Sequence, residues 1–112
     1  MRLARFDTIV VPFPFADLPV TRRRPALVVS EAGWNAAAGH VVAAMITSAH
    51  QSDWPLDVPV TDLAAAGLTA PCRVRMKLFT LDSGLIIRRA GQLSTADGDA
   101  VTQALARLLA AG

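Results

Sequence analysis

From Cys72 to Phe79 the chain alternates strictly. Cys72, Val74, Met76 and Leu78 fall on one side of an extended backbone, and Arg73, Arg75, Lys77 and Phe79 on the other. Period two of this kind fits a strand with one face in a core and does not fit an amphipathic helix. The opposite face is then a row of three cations ending in an aromatic ring. The rest of the chain must supply partner strands, and it does so in short pieces. Residues 8–15 alternate Ile9, Val11, Phe13 and Phe15 with Thr8, Val10, Pro12 and Pro14. Pro12 and Pro14 lack N–H groups on one side of that strand, which predicts an edge or a strand leaving the sheet. Residues 16–24 are polar, carry Pro19 and read as an exposed loop. Residues 25–30 and 40–48 are apolar on both faces, as strands buried on both sides are. Residues 56–61 make a short strand whose Pro59 predicts an edge, and a further strand is expected through residues 85–88.

Helical signals are few. Residues 31–39 are Ala-rich and end in glycine, a short helical turn at most. Asp62 and a glycine bracket three alanines, which fits one or two turns. Ser94 stands as an N-cap with Asp97 three residues on, in the manner of a capping box. Val101, Leu105 and Leu108, with Leu109 beside them, give that closing helix an apolar face. Five or six short strands, small helical turns and one closing helix in 112 residues predict a mostly β fold. The expected form is a compact barrel or strongly curved sheet. No repeat, linker or composition break divides the chain, so one domain over residues 1–112 is expected.

Composition limits the function classes. Apolar residues make up 53% and charged residues 18%, which excludes a disordered tail. One cysteine, Cys72, cannot close an internal disulfide and suits a reduced, cytoplasmic setting; its ordinary reading is a buried structural thiol. The basic start runs into Pro12 and Pro14, which disfavours a secretory signal, and no apolar run approaches a membrane span. The net charge is only +2, but eight of the eleven basic residues fall in three clusters: Arg22–Arg24, Arg73/Arg75/Lys77 and Arg88–Arg89. Clustered bases predict a local electropositive surface. Phosphate-loop and dinucleotide glycine motifs are missing. His40 and His50 lack metal-ligand spacing, and His50 is a weak acid–base candidate. No metal or cofactor is expected.

Three features could carry chemistry. Arg22–Arg24 precede Pro25, which restricts Arg24 to an extended backbone. Thr47 and Ser48 place two hydroxyls at the end of a buried strand. Arg73, Arg75 and Lys77 line a strand face beside Phe79. Each has an ordinary reading too: solvated loop, strand termination, solvent-facing edge. Together they suggest a nucleic-acid surface. Guanidiniums fork onto phosphate oxygens, and an aromatic ring offers a base a platform. No helix suits a major groove, so single-stranded RNA fits better than duplex DNA.

At these residues the chain resembles the MazF/PemK family of toxins from type II toxin–antitoxin systems. The likeness rests on Asp7-Thr8-Ile9-Val10-Val11 with Pro12-Phe13-Pro14-Phe15, on Arg24-Pro25-Ala26-Leu27-Val28-Val29-Ser30, on Ala44-Met45-Ile46-Thr47-Ser48, and on Val74-Arg75 leading to Thr80-Leu81-Asp82. It implies an SH3-like barrel with added helices, of the MazF/PemK/CcdB type, acting as a homodimer. It also implies a metal-independent endoribonuclease that cuts single-stranded RNA at short sequences, with a cognate antitoxin as partner. The family's functional arginine falls on Arg24 and its functional threonine on Thr47, the two expected catalytic residues. Arg23, Ser48, Arg73, Arg75, Lys77 and Phe79 are the expected RNA-binding residues. Arg75 matches an arginine that some members use in catalysis; where those members carry an aspartate two residues on, this chain has Lys77. The family's usual glycine before Asp7 is here Phe6. Two other readings stay open: a related barrel toxin that poisons a protein target such as gyrase, and a barrel whose basic face binds RNA without cutting it.

Overall fold

The computed structural model describes residues 2–14 and 22–111. Six strands form one antiparallel sheet in the order β4-β5-β3-β2-β1-β6. They are β1 (Asp7–Phe13), β2 (Arg22–Val28), β3 (His40–Ser48), β4 (Val58–Pro59), β5 (Cys72–Asp82) and β6 (Arg88–Gln92). Helices α1 (Ala32–Ala38), α2 (Leu63–Ala66) and α3 (Thr95–Leu108) lie between or after them.

The two apolar-on-both-faces segments account for this arrangement. In β2, Leu27 enters one apolar cluster while Ala26 and Val28 enter another on the opposite face. In β3, Ala44 and Ile46 go to the first, Val41 and Ala43 to the second. The first cluster is completed by Val58, Val60, Val74, Met76 and the α3 residues Val101, Ala104 and Leu105. The second holds Leu3, Ile9, Val11 and Leu81. Fully burying side chains of this size stabilises by about 1.5–3 kcal/mol each, which is why so short a chain can sustain a two-faced sheet.

The sheet closes through α2 rather than through a strand pair. Helix α2 follows β4 directly, begins at the Asp62 N-cap and packs on β6, so the two ends of the strand order meet across it. The Thr8 hydroxyl donates to the Ala66 carbonyl at 2.6 Å across this junction. Gly67 ends α2 at φ 67°, and a Cβ there or at Gly91 would run into the facing backbone. Glycine is required at both places by close approach, and at Gly67 by backbone conformation as well.

Several elements differ from the sequence expectation. Arg22–Arg24 are not loop: they begin β2, paired with Phe13, Pro12 and Val11 of β1. Polar residues give no period, so only the β1 ladder reveals them as strand. β1 is interior, not an edge, because β6 pairs it as far as Val10. Among the described residues no strand pairs that side beyond Val10, which is where Pro12 is tolerated. α1 is a full two turns, capped by the Glu31 carboxylate and stopped at Gly39 (φ 65°). β6 begins at Arg88, after a 3-10 turn over Ser83–Leu85. Leu108 and Leu109, placed on the buried face by spacing, are exposed.

Ser94 caps α3 as expected, accepting from the Asp97 N–H at 3.2 Å. Asp97 does something else. It is buried, and its carboxylate accepts from the Thr61 N–H (3.0 Å), the Thr61 hydroxyl (2.6 Å) and the Asp62 N–H (3.1 Å). It thereby ties α3 to the corner between β4 and α2. Burial pushes its pKa up, but the Thr61, Asp62 and Ser94 hydrogen bonds outweigh that and hold it below the usual carboxylate range. A carboxylate with a depressed folded-state pKa contributes stability that is fully present above the unfolded value of about 4 and is lost as pH falls through the folded value. Asp97→Ala should therefore destabilise the fold by about 2–4 kcal/mol, since three donors lose a charged acceptor. Asp97→Asn should lose less and flatten the acid limb of stability against pH below about 4. Denaturant unfolding across pH checks both; an unchanged acid limb in Asp97→Asn would remove Asp97 from this role.

Candidate RNA-binding groove

β5 is longer than its partner's share of the ladder. Ala44 of β3 pairs with Leu78 and Met45 with Arg75, so two extra residues, Met76 and Lys77, stand in β5 where β3 advances by one. An even insertion preserves the side-chain alternation. Met76 drops into the first cluster, and Arg73, Arg75 and Lys77 stay on the other face. β2 and β3 bring the remaining residues to that face. Their register pairs Ala26 with Met45; continued two residues outward it sets Arg24 opposite Thr47, which is itself paired with Arg73.

The result is an open groove lined by Phe13, Arg24, Thr47, Trp54, Arg75 and Lys77, together with Met45, Ile46 and Gln51. A second hollow adjoins it, lined by Arg24, Thr47, Ser48 and Cys72 among others. A third carries Arg23, Arg24 and Arg88. Arg24 is common to all three. Its guanidinium carbon lies 5.7 Å from the centroid of the Phe13 ring, close enough for a cation–π contact. Ser48 also does the ordinary job of its position, accepting from the His50 N–H at 3.2 Å in the turn that ends β3. His50 does not line the groove. Cys72 packs against the first cluster, and burial pushes its thiol pKa up, in keeping with a structural thiol.

Arg73 and Arg75 depart most from expectation. They are not free cations on a solvent-facing edge. Both side chains are largely buried, and both are committed to the segment over residues 49–57. Arg73 donates to the Ala49 carbonyl at 3.3 Å, to the Gln51 carbonyl and to the Asp53 carboxylate. Its Nε lies 3.4 Å from Asp57, an ion-pair distance without hydrogen-bond alignment. Arg75 donates to the Ser52 carbonyl and holds Asp57 with two bonds, Nε at 3.3 Å and Nη2 at 3.1 Å. Burial pushes the Asp57 pKa up. Hydrogen bonds from Arg75 and from the Trp54 N–H, with the charges of Arg75 and Arg73, outweigh it and hold the carboxyl below its usual range.

Phe79 lies further along the same face, half-buried against the second apolar cluster and outside the groove. The exposed rings in the groove are Trp54, 43% exposed, and Phe13, 36% exposed. The Trp54 centroid lies 4.8 Å from the Arg75 guanidinium carbon and 5.9 Å from the Lys77 ammonium. Sequence reasoning missed Trp54 and Asp57, because both sit in an aperiodic stretch broken by Pro55 and Pro59. The one available signal was an acid and an aromatic residue within the only polar segment between β3 and β5. Among the described residues, no three of His, Cys, Asp and Glu gather where they could hold a metal ion, and no helix is long and apolar enough to cross a membrane.

Removing Asp57 leaves two buried guanidiniums facing each other. Asp57→Ala should cost about 3 kcal/mol, as loss of one partner of a buried pair does. It should also raise hydrogen exchange over residues 49–57, and Asp57→Ala with Arg75→Ala should recover part of the loss. An unchanged denaturation midpoint together with unchanged exchange would show that the segment is held by something else.

Comparison with known proteins agrees with this geometry. The structure resembles a MazF in a MazE–MazF crystal structure from Deinococcus radiodurans (TM-score 0.81, 19% identity, 100% of each chain covered). It also resembles a mycobacterial endoribonuclease in complex with its cognate antitoxin (0.76, 21%, 97% of this chain and 94% of that one). A third is the Mycobacterium tuberculosis toxin MazF-mt6 (0.74, 20%, 93% and 96%). These likenesses show the fold, an SH3-like barrel of the MazF type. No curated protein sequence matches the chain. The family model for the PemK-like, MazF-like toxin of type II toxin–antitoxin systems matches residues 4–109. With nearly the whole sequence matched in order, the chain belongs to the PemK-like, MazF-like toxin family of type II toxin–antitoxin systems.

Proposed function

We propose that this toxin is an endoribonuclease that cuts single-stranded RNA, with Arg24 and Thr47 as its catalytic residues. The observation that carries the reading is their convergence. Arg24 lines all three adjoining hollows, and Thr47, on the neighbouring strand, lines two of them. Solved structures of the same fold include one described as an endoribonuclease bound to its antitoxin, which supports an antitoxin partner here too. A homodimer and a cytoplasmic site of action follow the family pattern.

Cleavage needs only the RNA itself and water. The 2′-oxygen attacks the adjacent phosphorus in line, the bond from phosphorus to the 5′-oxygen breaks, and a 2′,3′-cyclic phosphate remains. Water takes up the 2′-proton and supplies one to the departing 5′-oxygen. A guanidinium is a poor general base at neutral pH, so the role of Arg24 is to hold the phosphoryl oxygens and stabilise the charge that builds on them. The Thr47 hydroxyl donates to the same group. Among the described residues the groove lining holds neither a carboxylate nor a histidine, and Arg24 and Thr47 act by positioning and charge stabilisation. Arg23, Ser48 and Lys77 contact flanking phosphates. Arg75 sits at the groove wall with its charge partly offset by Asp57, and Arg73 acts behind it through the 49–57 segment.

Arg24→Ala should abolish cleavage of mixed-sequence single-stranded RNA, assayed with a chelator present, while leaving the unfolding midpoint unchanged. Wild-type protein should yield 2′,3′-cyclic phosphate ends. Cleavage retained by pure Arg24→Ala would sink the assignment, and binding without any cyclic product would favour a non-cutting RNA-binding barrel. If three to five phosphates are neutralised, log affinity should fall against log salt with a slope of about −2 to −3.5; a flat dependence would argue against the basic groove.

A further inference from the structure

We propose that Trp54 is the base-stacking residue of this groove and a determinant of which RNA sequences are cut; the inference rests on the endoribonuclease reading. Phosphate contacts position a strand but carry no sequence information. A single-stranded RNA read in a groove needs surfaces for its bases, and aromatic rings supply them. Phe79, on the same face, packs against the second apolar cluster and does not line the groove. Phe13 lines it with Arg24 near its ring. Trp54 is the larger ring, and it lines the same groove as Arg24 and Thr47.

Two observations separate Trp54 from an incidental surface tryptophan. First, its position is fixed by a network out of proportion to a plain loop. The Trp54 N–H donates to Asp57 at 3.0 Å, Asp57 is gripped by Arg75, and Arg73 and Arg75 hold the carbonyls of Ala49, Gln51 and Ser52. A platform works best when its ordering is complete before the ligand arrives. Second, Arg75 and Lys77 stand over the ring. A base stacked on a ring face they leave uncovered brings its phosphates near those cations, so stacking and charge neutralisation reinforce each other. The occupant with that chemistry is an unpaired nucleobase on a polyanionic backbone. Arg73, Arg75 and Asp57 are then positioning residues for the ring.

The chain has two tryptophans, and Trp34 lies on α1, so a Trp34→Phe background makes Trp54 the only reporter. The probe is a mixed-sequence single-stranded RNA with every 2′-hydroxyl methylated, which binds but lacks the attacking oxygen. A control is an abasic sugar–phosphate oligomer of the same length. The base-bearing probe should quench Trp54 fluorescence and the abasic one should not. Trp54→Ala should bind the probe about tenfold more weakly with an unchanged salt slope, since no phosphate contact is lost, whereas Trp54→Phe keeps most of the affinity. On unmethylated RNA, Trp54→Ala should cut a broader set of sequences than wild type. Equal affinity and an equal cleavage pattern for wild type and Trp54→Ala, with no quenching, would overturn the inference while leaving the nuclease reading standing. Wild-type protein that neither binds nor cuts RNA would overturn both, and would leave the ring as a contact for a protein partner.

Discussion

Arg73 and Arg75 project from one face of β5 about 7 Å apart along the strand, and two guanidiniums so placed repel unless an anion sits between them. Asp57 is that anion. The arrangement is costly to desolvate, and it holds because carbonyls and carboxylates take most of the remaining donors, with Arg73 Nε left at ion-pair distance only. The segment over residues 49–57 makes little regular structure of its own, and the two arginines accept that burden by binding three of its carbonyls. Asp57, with Asp53 on Arg73, thus helps determine where the segment runs, and the segment forms one wall of the groove. The basic strand face acts first as scaffold, and only Lys77 and the margin of Arg75 leave charge at the groove.

What could be read from the sequence follows from the range of the interactions involved. The strands were legible over residues 25–28 and 40–48, because burial on both faces writes an unbroken apolar run, although β2 stops at Val28 rather than running to 30. The Ser94 cap was legible because its signal is local. The strand character of Arg22 and Arg23 was not, since they extend because β1 lies beside them; only Arg24 carried a local signal, in Pro25. Asp97 looked like a partner for its own helix cap, and its donors come from Thr61 and Asp62, 36 and 35 residues away in sequence. The site divides in the same way. Arg24 and Thr47 were legible through family likeness, and the ladder register explains why they meet. The Asp57 link and the exchange of Phe79 for Trp54 depend on how a proline-broken segment folds back, and no periodicity encodes that.

Phe6 shows a different kind of accommodation. It holds φ 71°, a left-handed conformation uncommon for a bulky residue, at the point where the chain turns into β1. Its ring packs on Gly98 of α3, where a Cβ would meet it at 3.0 Å, and the Arg5 guanidinium lies 4.7 Å above it. The neighbouring Asp7 is buried and held by the Ala4 N–H, Gln92 and Arg89. The bend needed to start β1 is therefore retained with a phenylalanine in place of the residue best suited to it, because the surroundings supply both a cavity for the ring and fixed partners for the next residue.

The junction of α2 with β6 has an evolutionary corollary. Gly67 and Gly91 exclude side chains because the facing backbones touch, and neither position can drift alone without prising the seam apart. A lineage that enlarges one must move the whole helix, and with it the Thr61–Asp97 anchor at the helix's other end. Variation should therefore accumulate on the exposed surfaces and stop at this seam, making it a slowly changing reference line against which divergence of the groove can be measured.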